Sequence, residues 1–247
     1  MRQILRTLAP VLFVLVASLA SRADDNKIDV LLVTGFDVES HQWEASTRLI
    51  GAILDDSGRF DVTISNDKED FARLSPDKYD AVVLSYGFWT EPDPSPAAKQ
   101  GLLDYVRQGG NVVALHFACS SFQDWDEYAD LLGRVWKKGT GGHGPYGAFT
   151  VNIKDHDHPI TKGLDDFQTE DELYSRLSGE GDIEVLASGY SDWSEQVEPL
   201  VFVKHYGDGR VVQNLLGHAI DSKQNPAYQE LLRRSVEWAA TGEVTGK

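Results

Sequence analysis

The sequence predicts an α/β fold: a doubly wound, flavodoxin-like central sheet of mostly parallel strands, with an added antiparallel hairpin. Three observations predict it. Residues 27–33, 79–85 and 112–115 are near-continuous apolar runs, which suit parallel strands covered on both faces. Segments with apolar residues at helical spacing lie between them, as crossover helices require. Further on, two apolar runs flank Gly207-Asp208-Gly209, a hairpin signal.

The elements follow in order. The first strand, 27–33, stops at Thr34-Gly35. Ser40 is read as the N-cap of a helix over 41–56, whose buried face is Trp43, Leu49, Ile50, Ile53 and Leu54. Residues 60–64 alternate and read as a second strand, and 67–74 as a weak helix. The third strand, 79–85, leads into the aromatic loop from Tyr86 to Thr90. Ser95-Pro96 then opens a helix as N-cap and first position, and Gly109 closes it. The fourth strand ends at His116. The second half is less regular: a helix over 125–132 stopped by Gly133, a glycine-rich loop over 138–147 holding His143, strands over 148–153 and 183–187, then the hairpin. Asn225-Pro226 caps a last helix that buries Tyr228, Leu231, Leu232 and Trp238. No repeat or linker interrupts residues 24–247, which read as a single domain.

Residues 1–23 read differently. Arg2 and Arg6 precede an apolar run, 8–20, and Ser21-Arg22-Ala23 has small residues where a signal peptidase reads. The run is shorter than the ~20 apolar residues a spanning helix needs. A cleaved signal peptide is therefore expected, with export to the periplasm or the exterior and no stable membrane anchor. The formal net charge is −16. Such a surface repels phosphate backbones, which argues against nucleic acid and suits a small neutral partner. The single cysteine, Cys119, allows no internal disulfide. Free cysteine is most often a small buried residue.

Ligands of open α/β sheets sit beyond the carboxyl ends of the strands. His116 ends the central strand there, and His41 follows the first strand. His143 and His218 can reach the same rim from the glycine-rich loop and the end of the hairpin. Histidine serves as acid or base near neutrality and is a common metal ligand. No HExxH or paired CxxC spacing specifies a metal, so His116, His143 and His218 stand as a candidate set for a divalent ion such as zinc. Asp171 and Glu172 bring two carboxylates that could orient a histidine, accept a proton or bind a sugar hydroxyl; a solvated acidic turn is the competing reading. Trp43, Tyr86, Phe88 and Trp89 place aromatic rings near the rim, where they can face a sugar ring or form an apolar lid. Asp155-His156-Asp157-His158-Pro159 has metal-like composition but reads as a turn.

The segments LLVTG followed by His41 and Trp43, YDAVVLSYGFW, GGNVVALHFACSSF, DHDHPITKGLDDFQTEDELY and YGDGRVVQNLLGHAID, in this order, resemble the trehalose-utilisation (ThuA-like) family. That family has the class I glutamine-amidotransferase-like fold. The resemblance spans nearly all of 24–247. It implies handling of disaccharides, including 3-keto-glycosides. His41, His116, His143, Asp171, Glu172, Tyr174 and His218 match the family's recurrent polar positions; His158 also matches, but reads as structural. The glutaminase relatives carry a nucleophilic cysteine at the turn after the central strand. Here His116 holds that turn and Cys119 lacks a glycine-flanked elbow, so glutaminase activity is not expected. The resulting expectation is a hydrolase or isomerase of neutral disaccharides. In it His116, His143, Glu172 and His218 carry the chemistry, and His41, Trp43, Tyr86, Trp89, Asp171 and Tyr174 bind substrate. A non-catalytic carbohydrate-binding or interaction module on the same rim is the alternative.

Overall fold

The structure, a computed structural model, describes residues 27–35 and 38–245. The expected signal peptide lies outside these residues. Eleven strands are present among them: β1 (Ile28–Val33), β2 (Phe60–Ser65), β3 (Ala81–Leu84), β4 (Asn111–Leu115), β5 (Gly142–His143), β6 (Gly147–Ile153), β7 (Phe167–Asp171), β8 (Tyr174–Ser175), β9 (Glu184–Ser191), β10 (Gln196–Tyr206) and β11 (Gly209–Asn214). The helices are α1 (Trp43–Asp55), α2 (Pro96–Arg107), α3 (Asp126–Leu132), α4 (Ile220–Gln224) and α5 (Pro226–Thr241). Nine strands form one sheet in the order β2-β1-β3-β4-β11-β10-β9-β6-β7, and β5 pairs with β8 separately.

The first five strands in that order are parallel. With β11 in the fifth place they have the 2-1-3-4-5 order of a flavodoxin-like sheet, the fold class the apolar runs predict. Alternation along each strand sends neighbouring residues to opposite faces. Val30 and Leu32 of β1 pack with Ile50 and Leu54 of α1 and Leu231 of α5. Leu31 and Val33 pack with Leu102 and Val106 of α2 and Leu131 of α3. Both faces are therefore dry, and the central strands carry no polar alternation.

The antiparallel addition is larger than a hairpin. It comprises β10, β9, β6 and β7. β6 pairs with β9 only through Asn152 and Ile153, whereas Gly147 to Val151 pair with β7. The β6–β7 ribbon thus peels away from the sheet. Four strand spacings separate β11 from β7, ~19 Å in a flat sheet, yet Asp171 of β7 accepts hydrogen bonds from the residues just after β11. The antiparallel half therefore curls back over the carboxyl ends of the parallel strands.

Several boundaries differ from the sequence reading. Ser40 does not cap α1: residues Glu39–His41 form a 3-10 turn, and Gln42, at φ 46° and ψ 52°, is the N-cap without a side-chain bond. That left-handed kink turns His41 inward, where it is buried. Gln108, not Gly109, is the C-cap of α2. Ser95 does cap α2, accepting from the Ala98 N–H, and Asn225 caps α5 through the Ala227 N–H. Strands β7 and β8 occupy a stretch to which the sequence reading gives no strand, and in which Asp171-Glu172 alone has an acidic turn as its competing reading.

Candidate functional site

β4 ends in a backbone reversal. His116 sits at φ 43°, the left-handed region that non-glycine residues adopt at a cost. The reversal lifts the imidazole out of the sheet and over the strand ends. The neighbouring parallel strand holds the ring: His116 Nδ1 lies 2.9 Å from the Leu215 carbonyl. A carbonyl only accepts, so Nδ1 carries the proton and Nε2 offers its lone pair. Tyr174 Oη is 2.7 Å from that Nε2 and donates to it. Burial, followed by the nearby His41 and His218, holds the His116 pKa well below the usual histidine value, so the ring is neutral at neutral pH.

His143 reaches the same place by strand pairing. In the short β5–β8 ladder it stands opposite Tyr174. Its Nδ1 lies 2.6 Å from the Gly144 carbonyl, which again fixes the proton on Nδ1 and leaves Nε2 free to accept. His218 follows Gly217, whose φ of 101° and close approach to the Tyr228 ring leave no room for a Cβ. The peptide groups of Gly217 and His218 are clamped from both ends. Their N–H groups donate to Asp171 at 2.6 and 2.9 Å, and their carbonyls accept from Lys223 Nζ. Asp171 also accepts from the Glu172 N–H at 2.9 Å. Burial raises the Asp171 carboxyl above its usual value, and the three N–H bonds together with the Lys223 charge only partly offset that.

Glu172 is the point of convergence. Its Oε2 lies 3.0 Å from His218 Nδ1, 3.6 Å from His143 Nε2 and 3.9 Å from His116 Nε2. His41 closes the inner side, its ring centroid 4.7 Å from that of His218 and 5.2 Å from that of His116. His41, His116, Glu172 and His218 each offer one ligand-type atom, all within 4.8 Å of one another. Beneath them lies a recess of about 20 Å³ lined by His41, Trp43, Ser85, His116 and His218. That is room for one water or one ion, not for a sugar ring.

The structure thus brings His41, His116, His143, Glu172, His218 and Tyr174 together. Three expected substrate contacts, Asp171, Tyr86 and Tyr174, are buried. Asp171 is neither a solvated turn nor exposed to a ligand: it is 1% exposed and its oxygens are taken by backbone N–H groups. Tyr86 is 2% exposed. Its ring packs on Phe88 and Phe122, its hydroxyl meets Tyr128 Oη at 3.2 Å, and it borders the recess as part of its packed wall. Tyr174, also buried, acts on His116 instead. Trp43 is half-buried along the recess, and Trp89 is half-buried against Phe117 and Trp136. The 155–159 segment is a turn, with Asp155 accepting from the Asp157 and His158 N–H groups. Cys119 is buried, and burial pushes its thiol up to about 12.

Sequence reasoning missed Lys223, Trp136 and Tyr146. Trp136 has its ring centroid 5.5 Å from His143 and Tyr146 has its own 5.6 Å from His218. Tyr146 lies in the glycine-rich loop three residues from His143, a signal that was available. Lys223 has none: only the fold sets it beneath the Gly217 and His218 carbonyls.

The strand order and the polar recess at the strand ends define a doubly wound α/β protein of the amidotransferase-like class, with a histidine at the turn after its central strand. The family model for trehalose utilisation, ThuA, matches residues 29–239, and the chain belongs to this family. It is similar to the solved structure of a ThuA-like protein from Parabacteroides merdae ATCC 43184: 33% identity, TM-score 0.79, covering 90% of this chain and 93% of that one. A ThuA-like protein from Bacteroides uniformis ATCC 8492 superposes at TM-score 0.71 with 19% identity, over 92% and 97% of the two chains. A cytoplasmic protein from Salmonella typhimurium LT2 shares the fold at TM-score 0.61 and 18% identity, over 86% and 99%. No curated protein matches the chain. Family membership ties the protein to carbohydrate-related function in general terms.

Proposed function

We propose that the recess acts catalytically on a small neutral sugar, and that the substrate is a disaccharide oxidised to a ketone, a 3-keto-glycoside. The observation that carries this is the meeting of Glu172 Oε2 with three histidine nitrogens at 3.0, 3.6 and 3.9 Å. Such groups are costly to bury singly, and a fold that gathers them has a set of proton donors and acceptors ready at neutral pH. A ketone at C3 acidifies the C2–H bond, and the glycosidic oxygen on C1 lies β to that ketone. Glu172 takes the C2 proton on Oε1, its Oε2 being turned to the histidines; the freed pair forms the C1–C2 double bond, and the C1–O bond breaks. A water molecule on the outer side, beside His143, the most exposed of the clustered imidazoles, gives a proton to the departing oxygen; its hydroxide adds to C1 and Glu172 returns a proton to C2. The sum is a net hydrolysis. Trp89, Trp136 and Tyr146 border the outer side, where apolar sugar faces can pack. The acidic surface favours a neutral substrate over an anionic one. Action after export, with residues 1–23 removed, belongs to the same proposal.

The test is incubation of purified protein with a 3-keto-disaccharide in D2O, followed by NMR. Cleavage with deuterium entering C2 is expected, and Glu172→Gln should slow it by at least ~10²-fold. Saturable binding without cleavage would replace the enzyme by a carbohydrate-binding module. Neither binding nor cleavage would overturn the sugar reading.

A further inference from the structure

The tautomers fixed by the backbone leave an electrostatic problem in the recess. His116 and His143 both commit Nδ1–H to carbonyls; the His116 Nε2 lone pair accepts from Tyr174 Oη, and the unprotonated His143 Nε2 lies 3.6 Å from Glu172 Oε2. His218 Nδ1 lies 3.0 Å from the same oxygen, yet it is a buried nitrogen without a hydrogen bond. The contact is close but not aligned along an N–H. Lone pairs that converge on a carboxylate repel it unless something positive lies among them. The Tyr174 hydroxyl serves His116 Nε2, and one bridging proton serves one of the other two nitrogens, not both.

We propose that His116 Nε2, His218 Nδ1 and Glu172 Oε2 form a binding site for one divalent transition metal of the zinc type, with His41 at a fourth position. Around a tetrahedral zinc with bonds near 2.0 Å, neighbouring ligand atoms are ~3.3 Å apart. The Glu172 distances of 3.0 Å to His218 and 3.9 Å to His116 bracket that value. The outer set is of the kind that supports ligand histidines. A backbone carbonyl fixes the far nitrogen of His116, and Asp171 fixes the backbone on which His218 and Glu172 are carried. The recess of about 20 Å³ beside His41, His116 and His218 admits nothing larger than a water or an ion on that side of the set. Nitrogen with one carboxylate suits zinc, cobalt, manganese or iron better than calcium or magnesium, which prefer all-oxygen shells. His143 stands outside this set of four, on the sugar side. Tyr174 Oη now occupies the His116 lone pair at 2.7 Å, so metal binding displaces that hydroxyl.

The proposal rests on the recess as the functional site, but its test does not use sugar. Full-length protein stripped with a chelator is titrated with Zn²⁺ by calorimetry and with Co²⁺ by visible absorption. One equivalent should bind, with the cobalt bands of a nitrogen/oxygen site and a rise in melting temperature. His218→Ala and Glu172→Gln should weaken binding at least ~100-fold while circular dichroism shows both folded. His143→Ala should bind like the parent. Tyr174→Phe should bind as tightly or more tightly, because a competitor for Nε2 is gone. Absence of saturable binding for either ion, or binding indifferent to His218 and Glu172, would overturn the metal site. If a folding defect masks His218→Ala, the cobalt spectrum of Glu172→Gln decides. Metal binding without sugar turnover would sink the function proposed above and leave the metal site standing. Full turnover by stripped protein that binds neither ion would do the reverse.

Discussion

Single residues show how narrowly environment selects chemistry here. His116 and Cys119 lie three positions apart in one 3-10 turn, His116–Ser120, and both are buried. Burial leaves the imidazole neutral, with Nε2 unprotonated. The same burial pushes the thiol up to about 12, and only a thiolate attacks. Cys119→Ser is expected to leave activity per folded molecule within about threefold, ~0.7 kcal/mol in the barrier. Native protein should also resist alkylation by iodoacetamide until it is unfolded, as read by mass spectrometry. A loss of several hundredfold in the serine variant would restore a nucleophile to this turn.

Elements meet with little slack. Gly101 lies inside α2, where helix propensity alone favours alanine by ~1 kcal/mol. A Cβ there would fall 2.2 Å from the Phe71 carbonyl oxygen and 2.8 Å from Ala72 Cα. These are backbone atoms of the 3-10 segment Lys68–Arg73, which cannot rotate aside. Overpacking typically costs 1–3 kcal/mol, so roughly that range, less the propensity gain, is the expected loss for Gly101→Ala. The check is a urea midpoint lower than the parent's at unchanged slope. A raised midpoint would mean that α2 and the 68–73 segment are not in this contact. The same contact explains a sequence misreading: residues 67–74 have the apolar content of a weak helix, but the segment must lie flat on α2 through Phe71 and winds into a 3-10 turn.

At the scale of the whole molecule, α5 ties distant parts together through carboxylates. Glu237 accepts from Arg59, ahead of β2, and from Thr245 near the carboxyl terminus. Glu230 accepts from Arg233 and Arg234, and Arg234 reaches the Lys162 carbonyl. Burial raises both carboxyls, but the hydrogen bonds and positive charges outweigh it and hold both below the ordinary value of 4.5. As pH falls below that value the unfolded chain takes up protons that the folded chain still refuses. Their stabilisation is thus complete above pH 4.5 and is lost as pH falls through the folded values. Melting temperature should fall steeply on acidification in that window. Glu237→Gln should lower it at neutral pH and flatten the acid slope, since losing a charged hydrogen bond costs roughly 1.5–3 kcal/mol. A melting temperature unchanged on acidification through this window would refute the role of these two groups.

Local patterns were enough for four of the five parallel strands; the fifth, β11, reads only as one arm of the hairpin, and its parallel pairing with β4 is set by the tertiary structure. Dry strands announce themselves as unbroken apolar runs, and Ser95-Pro96 and Asn225-Pro226 cap helices by chemistry contained in a few residues. The types of residue at the site were legible as well, because His41 and His116 each follow a strand end. The assembly of the site was not. Residues 167–171, FQTED, and 174–175 lack an apolar run or strict alternation, so neither β7 nor β8 was recognised and Asp171 read as a candidate ligand contact. Its partners are the N–H groups of Gly217 and His218, separated from it by 46 and 47 positions. The curl of the β6–β7 ribbon, set by where β6 leaves β9, brings these groups within hydrogen-bonding distance. A side chain's type is a property of the chain, whereas which lone pairs face one carboxylate depends on how separate strands close upon each other, and that was decided only by the tertiary structure.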